Sequence, residues 1–463
     1  MNRAGDCYFS ARKLEPAEEM YSKAGTINPS MADYALFQSA FVAGLRKDYS
    51  GKISKLENLL ALYPNTQYKP NAFYEMGRAF LMLNNNPKAI TQYKFLVDSM
   101  PTSDLSRKAA LEIAMTYFNE NNFEQAIIAY KDVIKNYSGS EESYTALSGL
   151  ESAYIETNDV PSYLSYIKTL NLKIVKSDKN REDSITYIAA EKQYSNEKYL
   201  PAISGFKTYL NNYCKGGKYC TNVQYYLADS YYHTEQKDSA LAAYKLLLAI
   251  TPNQYAEEAN LRCAEISYDN KNFAEALTYF KQLQTCAQNE NNKNAGRLGI
   301  LRCSNLLKDN QTTVEVVAQI MKDPRANTET KTEARFNRAI AYLAIKDTTK
   351  AQLDIDTLAL DTRTLQGAEA KYLKAKILFD LKKYSESENT ILDFAQNNTP
   401  HQFWLAKSFV LLADIYMDQK NDFQAKQYLL SLQRNYTEPD AIQEMINERL
   451  KIITARENET ITQ

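Results

Sequence analysis

The sequence of 463 residues is poor in glycine, proline and histidine, and it has no long apolar stretch. It contains 13 glycines and 12 prolines, well under half of the share that soluble proteins ordinarily use. Sandwiches, barrels and doubly wound folds place these residues at their many tight turns, so the shortage disfavours those folds and predicts a mostly helical chain. No apolar run approaches the roughly 20 residues of a membrane-spanning helix.

Net charge and histidine are scarce as well. The 55 Lys and Arg residues balance 56 Asp and Glu residues, for a formal charge of -1, so the basic excess that drives nucleic-acid binding is absent. The two histidines, His233 and His401, are too few for most zinc sites and general-base constellations. We therefore expect a protein that is not an enzyme, holds no metal or cofactor, and does not bind nucleic acid.

Tyrosine, by contrast, is abundant, and it recurs at fixed spacing. The chain has 35 tyrosines, about twice the ordinary share. From Gly77, an aromatic follows three residues later at Phe80, an alanine twelve later at Ala89, a tyrosine sixteen later at Tyr93 and a proline twenty-four later at Pro101. The same offsets recur after Gly5 and Ala228, and after Ala114 they hold up to Ser138, which stands where the proline would fall. Looser copies begin at Ala40, Ala190, Ala264, Ala339, Ala375 and Ala413.

This pattern resembles the tetratricopeptide repeat, a helix-turn-helix unit of 34 residues. The small residue lets two helices approach closely, the aromatics fill the space between them, and the proline ends the second helix. Pro64 and Pro101 lie 37 residues apart, so the units are somewhat long and about twelve of them fit the chain. The resemblance implies an all-α, right-handed superhelical solenoid.

The predicted organisation is one continuous solenoid over residues 1–437, followed by a capping helix and tail over 438–463. Two stretches, near 149–181 and 289–323, keep helical periodicity but lose much of the signature, and we interpret them as degenerate units. Apolar residues at helical spacing predict the cap: Ile442, Met445, Ile446, Leu450 and Ile453.

Met1 stands only four residues before Gly5, which predicts that the chain is the C-terminal part of a longer repeat protein. A signal peptide would then not be visible. The Asn- and Tyr-rich composition and the lengthened units are similar to those of long tetratricopeptide repeat proteins of bacterial cell envelopes. That similarity favours the periplasm or envelope over the cytoplasm.

In the family, the first helices of the units line a concave groove that binds peptides or partner helices. The resemblance therefore implies groove positions three residues before, one after and four after each small residue. The candidates at these positions are Tyr74, Arg78, Tyr187, Glu191, Tyr225, Asp229, Tyr232, Tyr372 and Lys376. Each aromatic either packs against the neighbouring unit or contacts a ligand, and both interpretations stay open. An acidic, aromatic groove would prefer a neutral or basic partner segment. The alternative is that these acids are solvated residues of a helical face.

Two of the six cysteines differ from the rest. Cys214 and Cys220 flank a loop with two glycines, Gly216 and Gly217, which could bring the thiols within bridging distance. They form either a disulfide, which would indicate an oxidising compartment, or two free thiols. Zinc is disfavoured because no second pair of ligands lies nearby in the sequence.

Together these patterns predict a scaffold or adaptor that binds a protein or peptide partner. The alternative is the substrate-recruiting repeat arm of an enzyme whose catalytic domain is absent from this fragment. Both hypotheses predict binding by these residues, and the full-length parent sequence would separate them.

Overall fold

The computed structural model describes residues 1–27, 31–170, 179–215 and 217–461. In these residues the regular secondary structure is entirely helical, and no strand occurs. The all-α helical-repeat prediction is confirmed. The chain divides into two compact units, Met1–Gln236 and Lys237–Gln463.

The first unit contains thirteen helices among its described residues, and each packs against the next in chain order. They are α1 (Asn2–Ser10), α2 (Leu14–Ile27), α3 (Ala32–Leu45), α4 (Tyr49–Leu62), α5 (Lys69–Met82), α6 (Asn86–Ser99), α7 (Asp104–Asn119), α8 (Phe123–Asn136), α9 (Glu141–Glu156), α10 (Val160–Thr169), α11 (Lys179–Ser195), α12 (Tyr199–Tyr213) and α13 (Cys220–His233).

The second unit continues the same alternation of helix and short turn through its described residues. Its helices are α14 (Lys237–Leu248), α15 (Ala256–Asp269), α16 (Phe273–Cys286), α17 (Glu290–Leu306), α18 (Asn310–Lys322), α19 (Thr328–Ala344), α20 (Thr348–Leu358), α21 (Leu365–Asp380), α22 (Tyr384–Gln396), α23 (Gln402–Asp418), α24 (Asp422–Asn435) and α25 (Ala441–Ile461). None of the described helices has both the length and the hydropathy required to cross a membrane.

Twelve short turns each contain one residue in the left-handed region, with φ between 54° and 67°. These residues are Arg12, Lys47, Asn84, Asn121, Asn158, Glu197, Glu235, Lys271, Lys308, Lys346, Lys382 and Lys420. The first and last are 408 residues apart and enclose eleven intervals, so the mean repeat is about 37 residues. The turns therefore recur at the spacing that the sequence predicts, and twelve helix pairs precede the last helix.

One turn shows how a glycine-poor chain reverses direction. The Asn84 N–H donates to the Leu81 carbonyl at 2.9 Å and the Asn85 N–H to the Phe80 carbonyl at 2.8 Å, the hydrogen bonds of a Schellman motif. The Asn85 side chain then accepts from the Lys88 N–H at 3.3 Å and caps α6. Asparagine tolerates the left-handed region better than most residues, so this turn forms without glycine.

The small residue of the repeat lies directly against the tyrosine of the second helix. A Cβ atom at Gly77 would come within 2.4 Å of the Tyr93 ring, and Tyr93 and Ala89 are fully buried. The corresponding contact joins Gly5 to Tyr21, where the distance would be 2.6 Å. The recurring spacing thus reflects a contact between helices, because a larger residue would push the tyrosine ring away.

The stretches with a weak signature also contain paired helices, α9 with α10 and α17 with α18. Helix α10 has 10 residues, and residues 171–178 of the predicted degenerate unit lie outside the described residues. Helix α25 covers most of the predicted cap, with Ile442, Ile446 and Ile453 fully buried.

Candidate partner-binding face

The predicted groove residues of the third repeat, Tyr74 and Arg78, lie on α5. Tyr74 is half-buried, with its ring centroid 5.7 Å from that of Tyr93, and burial raises its pKa. The Arg78 side chain is 55% exposed and donates to Glu75 Oε1 at 3.0 Å. Glu75 also forms a buried ion pair with Lys52 of α4, so this part of the face is charged and largely paired.

The predicted residues of α11 and α13 belong to one network of tyrosines and carboxylates. Tyr187 donates its hydroxyl to Glu191 Oε1 at 2.5 Å. Tyr194 donates to Asp229 Oδ2 at 2.6 Å and so links α11 to α13. The His233 Nε2 lies 3.3 Å from the same oxygen. Burial, followed by these hydrogen bonds to carboxylates, raises the pKa of Tyr187 and Tyr194, which keeps both hydroxyls protonated as donors.

These residues differ in how far they reach the surface. Tyr187 and Asp229 are each only 6% exposed, and the Tyr187 ring stacks on Tyr219 at 4.2 Å with an angle of 3°. Glu191, Tyr225 and Tyr232 are half-buried. The first two residues therefore support the face from inside, and the half-buried three are the ones that an incoming segment could touch.

The predicted residues of the second unit, Tyr372 and Lys376, lie on α21. Lys376 pairs with Asp380 at 2.7 Å. Tyr372 packs beside Trp404 of α23, with centroids 5.6 Å apart, and the Lys407 ammonium lies 4.9 Å and 4.8 Å from these two rings. The repeat spacing does not predict this cation–π cluster, although Trp404, the only tryptophan in the sequence, was a signal that could have pointed to it.

The structure joins Cys214 and Cys220 in a disulfide, with their Cα atoms 5.4 Å apart. Gly216, one of the two glycines expected to let the loop bend, lies outside the described residues. The loop then runs along the first unit, because the Lys218 N–H donates to Asp183 of α11 at 3.0 Å. Tyr219, the residue that stacks on Tyr187, precedes the second cysteine. The disulfide therefore closes the loop that supports the α11 side of the network.

Two buried cysteines, Cys263 and Cys303, and the histidine His233 could also carry chemistry, but each packs against other protein groups. Burial raises the pKa of Cys263 to about 12 and that of Cys303 to about 11, which makes both thiols unreactive. The His233 ring stacks on Tyr199 with centroids 4.7 Å apart. Within the described ranges, no cluster of three or more His, Cys, Asp or Glu side chains is arranged to hold a metal ion.

Two segments of the sequence, residues 108–140 and 222–253, match the family model of the tetratricopeptide repeat. The chain contains tetratricopeptide repeats. The first matched segment covers most of α7 and all of α8, and the second extends from α13 past α14. Tetratricopeptide repeats are in general non-catalytic modules for protein–protein interaction. Their presence supports an interaction scaffold.

Two solved structures that match this chain share little sequence with it. A chain in the structure of Naa15/Naa10 bound to HypK-THB is 11% identical, and the match covers 98% of this chain and 79% of that one with a TM-score of 0.43. The C-terminal part of a TPR repeat-containing protein from Cytophaga hutchinsonii is 17% identical over 64% of this chain and 98% of its own, with a TM-score of 0.26. No curated protein matches the sequence.

Proposed function

We propose that the chain is a non-enzymatic scaffold that binds a segment of a partner protein along the first helices of its repeats. The network on α11 and α13 carries this proposal. Tyrosine hydroxyls hold Glu191 and Asp229 in place without neutralising their charge, because a phenol is a neutral donor. Tyr225 and Tyr232 lie half-buried beside them.

The chemistry of this face favours a neutral or basic partner segment. Aromatic rings attract cations through their faces, and nearby carboxylates add to that attraction. Tyrosines at interfaces also contribute more binding free energy than most side chains. An acidic segment would bring like charges together at Glu191 and Asp229.

The proposal includes an oxidising compartment such as the bacterial cell envelope. The Cys214–Cys220 disulfide supports it, because reducing systems keep most cytosolic thiols free.

The test is a double substitution of the half-buried tyrosines, Tyr225→Ala with Tyr232→Ala. We expect recovery of bound partner from native extract to fall about tenfold or more, since each tyrosine would act as an interface anchor, while far-UV circular dichroism stays unchanged. Leu200→Ala is the matched control, because Leu200 is 66% exposed on the second helix α12. Unchanged recovery by the folded double variant would refute the proposal.

A further inference from the structure

The hydroxyl of Tyr93 has no hydrogen-bond partner in the part of the chain that the structure describes. The whole side chain is 0% exposed, so the hydroxyl does not face bulk solvent. A buried polar group without a partner is unfavourable, and native proteins rarely keep one without a reason.

The corresponding tyrosine of the first repeat explains how this hydroxyl loses its partner. Tyr21 stands sixteen residues after Gly5, as Tyr93 does after Gly77. Tyr21 donates to Asp6 Oδ1 at 2.7 Å, and Asp6 directly follows the small residue. The third repeat has Arg78 at that position. A guanidinium has only donors and cannot accept the hydroxyl proton.

The charged groups around the Tyr93 hydroxyl are one donor, Arg78, and two acceptors, Glu75 and Glu112. Arg78 and Glu112 of α7 both act electrostatically on the Tyr93 hydroxyl. Glu112 is half-buried, and burial raises its pKa although Arg78 opposes the shift. A carboxylate ligand would be repelled by Glu112 and Glu75, and an ammonium could not accept from Tyr93. An amide is neutral and offers both a carbonyl acceptor and an N–H donor.

We propose that Tyr93, Arg78 and Glu112 bind a main-chain amide of the partner segment. The carbonyl accepts from the Tyr93 hydroxyl and from the Arg78 guanidinium, and the N–H donates to Glu112. The Arg78 side chain, 55% exposed, moves to admit the amide. This inference rests on the proposed function, because the partner must lie along the first helices, and every residue of an extended segment except proline brings such an amide.

The first experiment measures stability without any ligand. Tyr93→Phe removes a hydroxyl that has no partner, so we expect the urea midpoint of unfolding to stay the same or to rise. Tyr21→Phe is the matched control and should lower the midpoint, because it breaks the hydrogen bond to Asp6. A fall for Tyr93→Phe as large as that for Tyr21→Phe would overturn the inference, since the hydroxyl would then have a partner within the chain.

The second experiment titrates small probes into protein with ¹³C-labelled tyrosine Cζ, using the spectrum of Tyr93→Phe to assign the Tyr93 signal. N-methylacetamide should shift that signal saturably, and methyl acetate, which lacks the N–H, should bind about tenfold more weakly, as expected for one lost hydrogen bond to a charged acceptor. Tighter binding of acetate would instead indicate a carboxylate site, and tighter binding of acetamide a side-chain amide. Either result, or no saturable shift, would overturn the inference.

Neither experiment needs the partner. Binding of N-methylacetamide together with unchanged partner recovery by the Tyr225→Ala, Tyr232→Ala variant would refute only the proposed function. Reduced recovery by that variant without binding of N-methylacetamide would refute only this inference.

Discussion

Replacing Gly77 with alanine tests the contact that sets the repeat spacing. The added Cβ would lie 2.4 Å from Tyr93 Cε1 and 2.6 Å from Cζ, whereas ordinary contacts begin at 3.4 Å, so the ring must move by about 1 Å. Overpacking of a core costs ~1–3 kcal/mol, and a fully buried ring places this case at the upper end. The gain in helix propensity returns ~1 kcal/mol. We expect Gly77→Ala to lower the free energy of unfolding by ~2 kcal/mol.

Urea unfolding followed by far-UV circular dichroism measures this change, and Gly25→Ala in α2 is the matched control. A Cβ at Gly25 would lie 3.5 Å from the Leu36 side chain, an ordinary contact. The same substitution should therefore stabilise the protein there by up to ~1 kcal/mol through helix propensity alone. If Gly77→Ala proved as stable as the parent while Gly25→Ala gained stability, the contact between Gly77 and Tyr93 would not be what fixes the spacing.

Three further predictions concern a helix cap, the tyrosines and the disulfide. Lys198 precedes α12 with φ -86° and ψ 68° and makes no cap hydrogen bond, so Lys198→Asn should raise the free energy of unfolding by ~1 kcal/mol; an unchanged urea midpoint would contradict this. Burial raises the pKa of Tyr34 and of Tyr279 to about 12. Because the unfolded chain releases these protons near pH ~10, stability should be full below that pH and fall as the pH rises towards 12. A urea midpoint independent of alkaline pH would refute the partly buried placement of the two rings. Reducing the Cys214–Cys220 disulfide should lower the free energy of unfolding by ~2 kcal/mol, the loop-entropy value for so short a loop; mass spectrometry after alkylation with and without reductant checks the bond, and equal masses would contradict it.

The fold could be predicted from the sequence because one contact repeats. Gly77 and Tyr93 touch directly, so their spacing of sixteen residues is imposed by helix packing and recurs wherever the packing recurs. The turns could not be recognised by glycine in the sequence, because residues such as Asn84 and Lys308 adopt the left-handed conformation there. Their positions followed from the repeat spacing alone. The last helix was visible as the apolar periodicity that begins at Ile442.

The candidate face could be predicted only in part. The spacing predicts that Tyr187 and Asp229 lie on first helices, and they lie on α11 and α13. Their burial depends on Tyr219 and Tyr194, which come from a loop and from another position of the repeat. No periodicity within one helix reports such contacts. The sequence shows that the third repeat has Arg78 where the first repeat has Asp6. It does not show which tyrosine hydroxyl reaches that position, so the loss of a partner for Tyr93 could not be predicted.

The most direct test of the scaffold function is site-specific photo-crosslinking. A benzoylphenylalanine at position 232 or 78 would stand on a first helix at a predicted groove position, where Tyr232 is half-buried and the Arg78 side chain is 55% exposed. The same probe at Leu200 would stand on the second helix α12. The account predicts covalent partner adducts from the first two positions and none from Leu200. Adducts at Leu200 alone, or equally at all three positions, would contradict it.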